Sequence, residues 1–586
     1  MKENKNTYTF KYFFNNYKNR YILGIVWLIL VDILQLVIPW LLGDFTDRLK
    51  TKSIDMRGII YYALIIIGVA IFTAIFRYLW RLYIVGTSRV LEKKIREDFY
   101  SHLLKLSTNY FNEQKTGDLM AHATNDIKAV RQAMGPGVVM LFDALFLTVA
   151  TISILILRID IRLTLIALIP LPFLALLSTY FSKSIHEKFT AVQEAFSNLT
   201  DKVQENFSGI RVIKAFTQED LEIEKFASAN KLNFDKNIEL VKTWGLFHPL
   251  IQFITGLSFL IVIWYGGNLV IDGVITLGDF VAFNSYLGLL TWPMMAVGFV
   301  INLMQRGTAS LKRLNNIFRA KEEIYDKDVK DIDDIDGKIE FNNLSFQYNG
   351  SKEQVLKDIN LEIKAGQTAA FLGRTGAGKT TIINLLLRLF NVEKNEIYID
   401  GHDINDLPIK LLRDKIGVVP QDNFLFSSTI AENIAFFDPD NIERSEIEKT
   451  AKITEVYDNI MEFPAQFDTI LGERGVTLSG GQKQRISMAR AIIKKPKILI
   501  LDDSFSAVDT HTEEQILNNL RPVMENRTVI LISHRISTIK NADIIFVLDE
   551  GEILERGTHE ELIANEKLYF DIYQKQQLEE KIANIN

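Results

Sequence analysis

Three short segments carry groups suited to phosphate chemistry. The first is Gly373-Arg374-Thr375-Gly376-Ala377-Gly378-Lys379-Thr380-Thr381. It matches a P-loop, in which glycines let backbone N–H groups close around phosphate oxygens. Lys379 is expected to bring a point charge to the β- and γ-oxygens of a nucleoside triphosphate, and Thr380 to ligate Mg2+. The N-terminus of the following helix adds positive potential. The second segment is Ile498-Leu-Ile-Leu-Asp502, an apolar run ending in an acid that can hold Mg2+ directly or through water. The third is Leu478-Ser479-Gly480-Gly481-Gln482. It opens a helical stretch, Lys483–Ile493, that stops before Pro496. On residue types alone this third segment also reads as a glycine-rich helix start capped by Ser479.

The elements that must position these groups are legible nearby. Thr368-Ala-Ala-Phe-Leu372 reads as a buried strand feeding the P-loop, and Ile382–Phe390 as the amphipathic helix leaving it. Strand, loop and helix are the setting a P-loop requires. The surrounding region, 338–575, has the short β-rich runs and helices of an α/β nucleotide-binding domain, followed by a tail at 576–586. Before it, residues 320–337 are charge-rich and read as a linker.

Residues 1–319 are different in kind. A bilayer core about 30 Å thick needs about 20 apolar residues as helix. Six stretches meet that within a few residues: Tyr21–Gly43, Ile59–Trp80, Gly137–Leu157, Leu163–Phe181, Leu250–Val270 and Phe280–Met304. Arg158–Arg162 and Asp272-Gly273 give very short turns. The connections around 81–136 and 182–249 are long, polar and helically periodic, as in Leu91, Ile95, Phe99, Leu103 and Leu106. Spans two to five should therefore extend far beyond the bilayer on one side. Lys and Arg in the first long connection, and the nucleotide domain after the last span, place that side and both termini in the cytosol. Lysines without a short apolar core in residues 1–17 predict no cleavable signal peptide. Tyr8–Phe14 reads as an interfacial helix.

Ionisable residues inside spans are costly and should face the bundle interior or a wet cavity. Asp32 and Asp143, with Arg77 and Arg81, fit either a site for a cationic, apolar substrate or a structural Asp–Arg pairing. Phe283, Tyr286, Trp292 and Phe299 fit cavity lining, packing or lipid contact. The full chain of 586 residues carries a net charge of -6 with both signs interspersed, which argues against a nucleic-acid partner. It has 0 cysteines, which excludes disulfides and thiolate metal sites.

Leu478–Gln482, lying between a P-loop and an acid-ending strand, resembles the signature of the ATP-binding cassette family. Other family elements then find counterparts. Tyr348 resembles the aromatic that stacks on adenine. Gln421 resembles the glutamine that joins Thr380 and Asp502 around Mg2+. Ser506-Ala-Val-Asp509 resembles the D-loop, and His534 the switch histidine. Gly472–Gly475 resembles a loop of the exporters, while Tyr110–Leu119 and Gly209–Phe216 resemble their coupling regions. Six spans followed by one cassette is the order of an exporter half. The resemblance implies a polytopic α-helical membrane domain fused to an α/β P-loop cassette, using ATP and Mg2+. It also implies a dimer, in which Ser479, Gly480, Gly481 and Gln482 of one chain close over the P-loop of the other.

One position departs from the family. Competent members usually carry glutamate after the acid-ending strand; this chain has Asp503. The shorter carboxylate sits about 1.3–1.5 Å further from a water placed for glutamate, and an error of about 1 Å can cost on the order of 100-fold in rate. The expectation is a bacterial cell-membrane exporter of amphipathic or lipophilic, multidrug-type compounds. It pairs with a different half-transporter bearing the glutamate and hydrolyses ATP mainly at the partner's P-loop. The rival readings are a homodimeric exporter or lipid flippase with a slow Asp503 site, a non-hydrolysing regulatory subunit, and an ATP-gated pore.

Overall fold

Apolar helices too long for a single bilayer crossing dominate the first half of the chain. The computed structural model describes residues 7–327, 329–472 and 478–583. These form two units, one comprising Met1–Leu104 and Lys115–Ala320, the other Lys105–Gln114 and Lys321–Asn586. Of the loop expected at Gly472–Gly475, the residues after Gly472 lie outside the described residues.

In the first unit, six helices among the described residues are long and apolar enough to cross a membrane: Lys18–Lys50, Met56–Leu103, Thr116–Ile159, Ile161–Ser208, Glu219–Ile271 and Leu277–Phe318. The second to fifth contain 44 to 53 residues. At about 1.5 Å per residue they run roughly twice the length of a bilayer core. Asp160 makes the tight turn between the third and fourth: its backbone is extended and its carboxylate accepts the Leu163 N–H at 2.7 Å. Gly273, at φ +72°, turns the chain between the fifth and sixth. Thr276 and Asp279 then form a capping box that starts the sixth helix.

The first and sixth helices touch where both carry glycine. A Cβ on Gly278 would overlap the Gly43 carbonyl oxygen, and the Gly278 N–H donates to Asp47 Oδ1 at 2.7 Å. Phe283 and Tyr286 are packing residues. Both are buried, and the Tyr286 hydroxyl donates to the Leu36 carbonyl at 2.8 Å. Trp292 and Phe299 remain exposed within this unit. The interfacial segment forms a helix, Phe10–Asn16, capped by Thr9.

The second unit holds two sheets. An antiparallel one has the order β2 (Leu356–Ile363), β1 (Ile339–Phe346), β4 (Ile397–Ile399), β5 (His402–Asp403). The larger has the order β10 (Glu552–Gly557), β9 (Ile544–Asp549), β3 (Thr368–Gly373), β8 (Thr528–Ile532), β7 (Ile498–Asp502), β6 (Ile416–Val419). Strands β9, β3, β8, β7 and β6 are parallel. Their near-continuous apolar runs follow from burial on both faces, and every residue of β7 and β8 is buried. The P-loop helix runs Lys379–Leu386, starting and ending earlier than the expected Ile382–Phe390. Gly378, at φ +98°, finishes the loop one residue before Lys379, and Arg388, at φ +46°, is already left-handed. The C-terminal helix Leu568–Ala583 continues through the expected boundary at 575/576.

Candidate nucleotide site

Parallel strands end at one edge, and ligands of such sheets gather beyond their carboxyl ends. Here the register aligns Phe371 and Asp502 with Ile532, and Leu501 with Val419. The loops after β3, β8, β7 and β6 therefore emerge side by side. They bring together segments more than 150 residues apart in sequence, from Gly376 to His534. One cleft is lined by Val355, Thr375, Gly376, Gly378, Lys379, Thr380, Thr381, Gln421, Asp502, Asp503, Ile532 and His534.

The P-loop is shaped by its glycines. A Cβ on Gly378 would approach Leu356 Cδ2 to 2.6 Å, and φ +98° disfavours any other residue there. Lys379 is buried, and its Nζ donates to the carbonyls of Gly373 and Arg374 at 2.7 and 2.8 Å. Burial lowers its pKa, opposed by the charges of Asp502 and Asp503. Thr380 Oγ1 donates to Asp502 Oδ2 at 3.0 Å. Burial raises the Asp502 pKa; the Thr380 hydrogen bond and Lys379 pull it back, and Asp503 adds to the rise. A buried carboxyl paired with a hydroxyl, beside a second carboxylate and a loop of N–H groups, is a donor set that fits a divalent cation with a phosphate chain. Gly373, Arg374 and Ala377 shape the loop from behind and do not line the cleft.

Asp503 follows β7 directly. Its N–H donates to the Ile532 carbonyl at 2.9 Å and its backbone is left-handed, at φ +46°. His534 leaves β8 opposite. Its pKa is lowered by burial and by Lys379, against the pull of Asp503, so the neutral ring is favoured. Tyr348 does not line the cleft. Its ring packs edge-on against Phe346 and Phe390, with centroids 5.0 Å apart in each case, and its hydroxyl lies 3.0 Å from Thr381 Oγ1.

The signature residues stand apart from this cleft. Ser479 and Gln482 form a capping box at the start of the helix Gly480–Ile493. Gly481 lies against Ala507, where a Cβ would come within 2.8 Å of the Ala507 carbonyl oxygen. Sequence reasoning missed Gln484, two residues further on. It is buried, donates to Ser506 Oγ at 2.9 Å and to the Asp503 carbonyl at 3.4 Å, and accepts the Ala507 N–H at 3.0 Å. A glutamine on the buried face of a helix is the signal that was available, because buried amides need partners.

Residues 21–294 match the model of the ABC transporter transmembrane region, and residues 356–506 that of the ABC transporter. The chain is 39% identical over 568 residues to the probable multidrug resistance ABC transporter ATP-binding/permease protein YheI of Bacillus subtilis, covering 97% of each. It is 36% identical to the multidrug resistance-like ATP-binding protein MdlA of Escherichia coli, over 97% of this chain and 96% of that one. Among solved structures, a bacterial Atm1-family ABC exporter with ATP bound superposes with a TM-score of 0.77 at 26% identity. That match covers 95% of this chain and 98% of the other. With membrane helices and nucleotide-binding cassette both matched over nearly its full length, the chain belongs to the ABC transporter family, as an ATP-hydrolysing exporter half.

Proposed function

We propose that this chain is the slowly hydrolysing subunit of a heterodimeric exporter of lipophilic or amphipathic compounds. The observation that carries the reading is Asp503 at the carboxyl end of β7, with the cleft's other groups around it. In this reading the P-loop N–H groups and Lys379 bind the triphosphate, and Tyr348 turns to stack on adenine. Thr380, Asp502 and Gln421 hold Mg2+, which when bound neutralises charge on the β- and γ-oxygens. Asp503 lies too far back to orient a water well, so His534 contacts the γ-phosphate of an ATP that is held for long periods. Ser479–Gln482, standing clear of the chain's own cleft, close the partner's site, where a glutamate drives most turnover. Closure of the cassettes moves the segments at Tyr110–Leu119 and Gly209–Phe216, and the membrane cavity turns outward. Both termini then lie in the cytosol of a bacterial cell.

The substrate class rests on Asp32. It is fully buried in the first span, near Asp143 and Arg77. A carboxyl buried within a membrane bundle suits a cationic lipophile. The decisive experiment is Asp503→Glu in the purified full-length chain. ATPase should rise by about tenfold or more, because the carboxylate regains its reach. A wild-type chain that already hydrolyses fast, and barely responds, would overturn the reading and favour a homodimer.

A further inference from the structure

The helix Leu568–Ala583 lies beyond the matched region 356–506 and beyond every motif above. Its Gln576 nevertheless reaches the loop that carries His534. Gln576 Nε2 donates to the His534 carbonyl at 2.6 Å, and Gln576 Oε1 accepts the Ile536 N–H at 2.9 Å. One side-chain amide thus satisfies a carbonyl and an N–H two residues apart, a two-point grip on the two consecutive peptide planes that follow His534. This loop has left β8, so no strand ladder holds it. Two further grips come from Ser533, whose hydroxyl oxygen accepts the Arg535 N–H at 3.0 Å, and from Glu513, buried on the helix Thr510–Met524, which accepts from the Arg535 guanidinium and the Thr538 hydroxyl. Glu513 anchors the loop after the histidine and Ser533 takes the Arg535 N–H, while Gln576 bonds the histidine's own carbonyl.

A carbonyl held from outside determines where the side chain on the same residue can stand. We propose that Gln576 is a positioning residue for hydrolysis: by clamping the backbone at His534 and Ile536 it sets the imidazole at the cleft, and it makes docking of the C-terminal helix a condition for turnover. This rests on His534 acting at the γ-phosphate, as read above. ATP binding depends on the P-loop and does not pass through Gln576.

The test uses the full-length chain in nanodiscs, in two parents, wild type and Asp503→Glu, with single-turnover hydrolysis of radiolabelled ATP. Gln576→Ala should slow hydrolysis about tenfold in each parent, leaving ATP affinity and thermal midpoint unchanged, as expected for a misplaced group. Gln576→Glu keeps the acceptor for Ile536 but loses the donor to the His534 carbonyl, and should slow hydrolysis similarly. Gln577→Ala, which removes only a bond to the Tyr573 hydroxyl, should behave as its parent. In a His534→Ala background, Gln576→Ala should add less than about twofold, because the two act as one unit. A rate within about twofold of the parent for both Gln576 variants would overturn the proposal, as would a joint fall in rate, affinity and thermal midpoint. Failure of the slow-site reading shows separately, as the ratio between the two parents. Failure of the His534 reading shows as an unchanged rate in His534→Ala.

Discussion

At the residue scale, the site is set by carboxylates and a ring whose protonation depends on burial. His534 is neutral below its ordinary 6.5 because burial and Lys379 disfavour the cation. The folded chain therefore binds fewer protons there than the unfolded chain, and stability contributed by this group is lost as pH falls below about 6.5. Hydrolysis limited by His534 should be flat from about pH 8 to pH 6.5 and decline only below that, measured as a single-turnover pH profile. A decline beginning near pH 7.5 would show a ring that is not neutralised. Asp32 offers a second test. Asp32→Asn keeps the volume and removes the ionisable carboxyl, so binding of a lipophilic cation should weaken about tenfold. Binding of a neutral lipophile should hold. Equal loss of both, read by fluorescence titration, would mark Asp32 as a packing residue only.

At the element scale, the helix Gly480–Ile493 and the segment after β7 behave as one piece. Gln484 joins them at three points, and Gly481 admits the Ala507 backbone because it has no Cβ. Gln484→Ala leaves the Ser506 hydroxyl and Ala507 N–H without those partners, at a cost of about 1–3 kcal/mol. Hydrogen exchange over 503–508 should accelerate in that variant while β3 stays protected. Unchanged exchange would mean that the loop is held elsewhere. The geometry has a consequence for coupling. Asp503 serves this chain's cleft, the signature is proposed to serve the partner's, and Gln484 links the two within one chain.

At the scale of the whole molecule, one chain holds one P-loop and one signature that does not line its own cleft. In the proposed reading a complete nucleotide site therefore needs a second chain. Mixing this chain with a half-transporter that bears glutamate after its acid-ending strand should give a stable complex with ATP, seen by native mass spectrometry. That pair should hydrolyse faster than either chain alone. Equal or better activity from this chain by itself would favour the homodimer.

The sequence by itself determined the class of the molecule. Six apolar runs of bilayer length are read from composition, because water and lipid sort side chains before any tertiary contact forms. The P-loop and the acid-ending strand are equally local, since glycine spacing and a terminal acid carry their chemistry within a few residues. The signature helix was legible for the same reason, and its Ser479 cap appears as the residue types predict. Tertiary structure decided what depends on strand order and on long-range polar pairing. That Gly373, Val419, Asp502 and Ile532 end at one edge follows from the order β3-β8-β7-β6, which no local pattern encodes. That Phe283 and Tyr286 pack inward follows from the Gly43–Gly278 approach of two spans. Gln484, Glu513 and Gln576 carry no motif of their own. Their roles come from polar groups at least 19 residues away in sequence, such as the 42 between Gln576 and His534. Only the folded chain brings these together, because a buried or loop peptide group must find a partner wherever the fold supplies one.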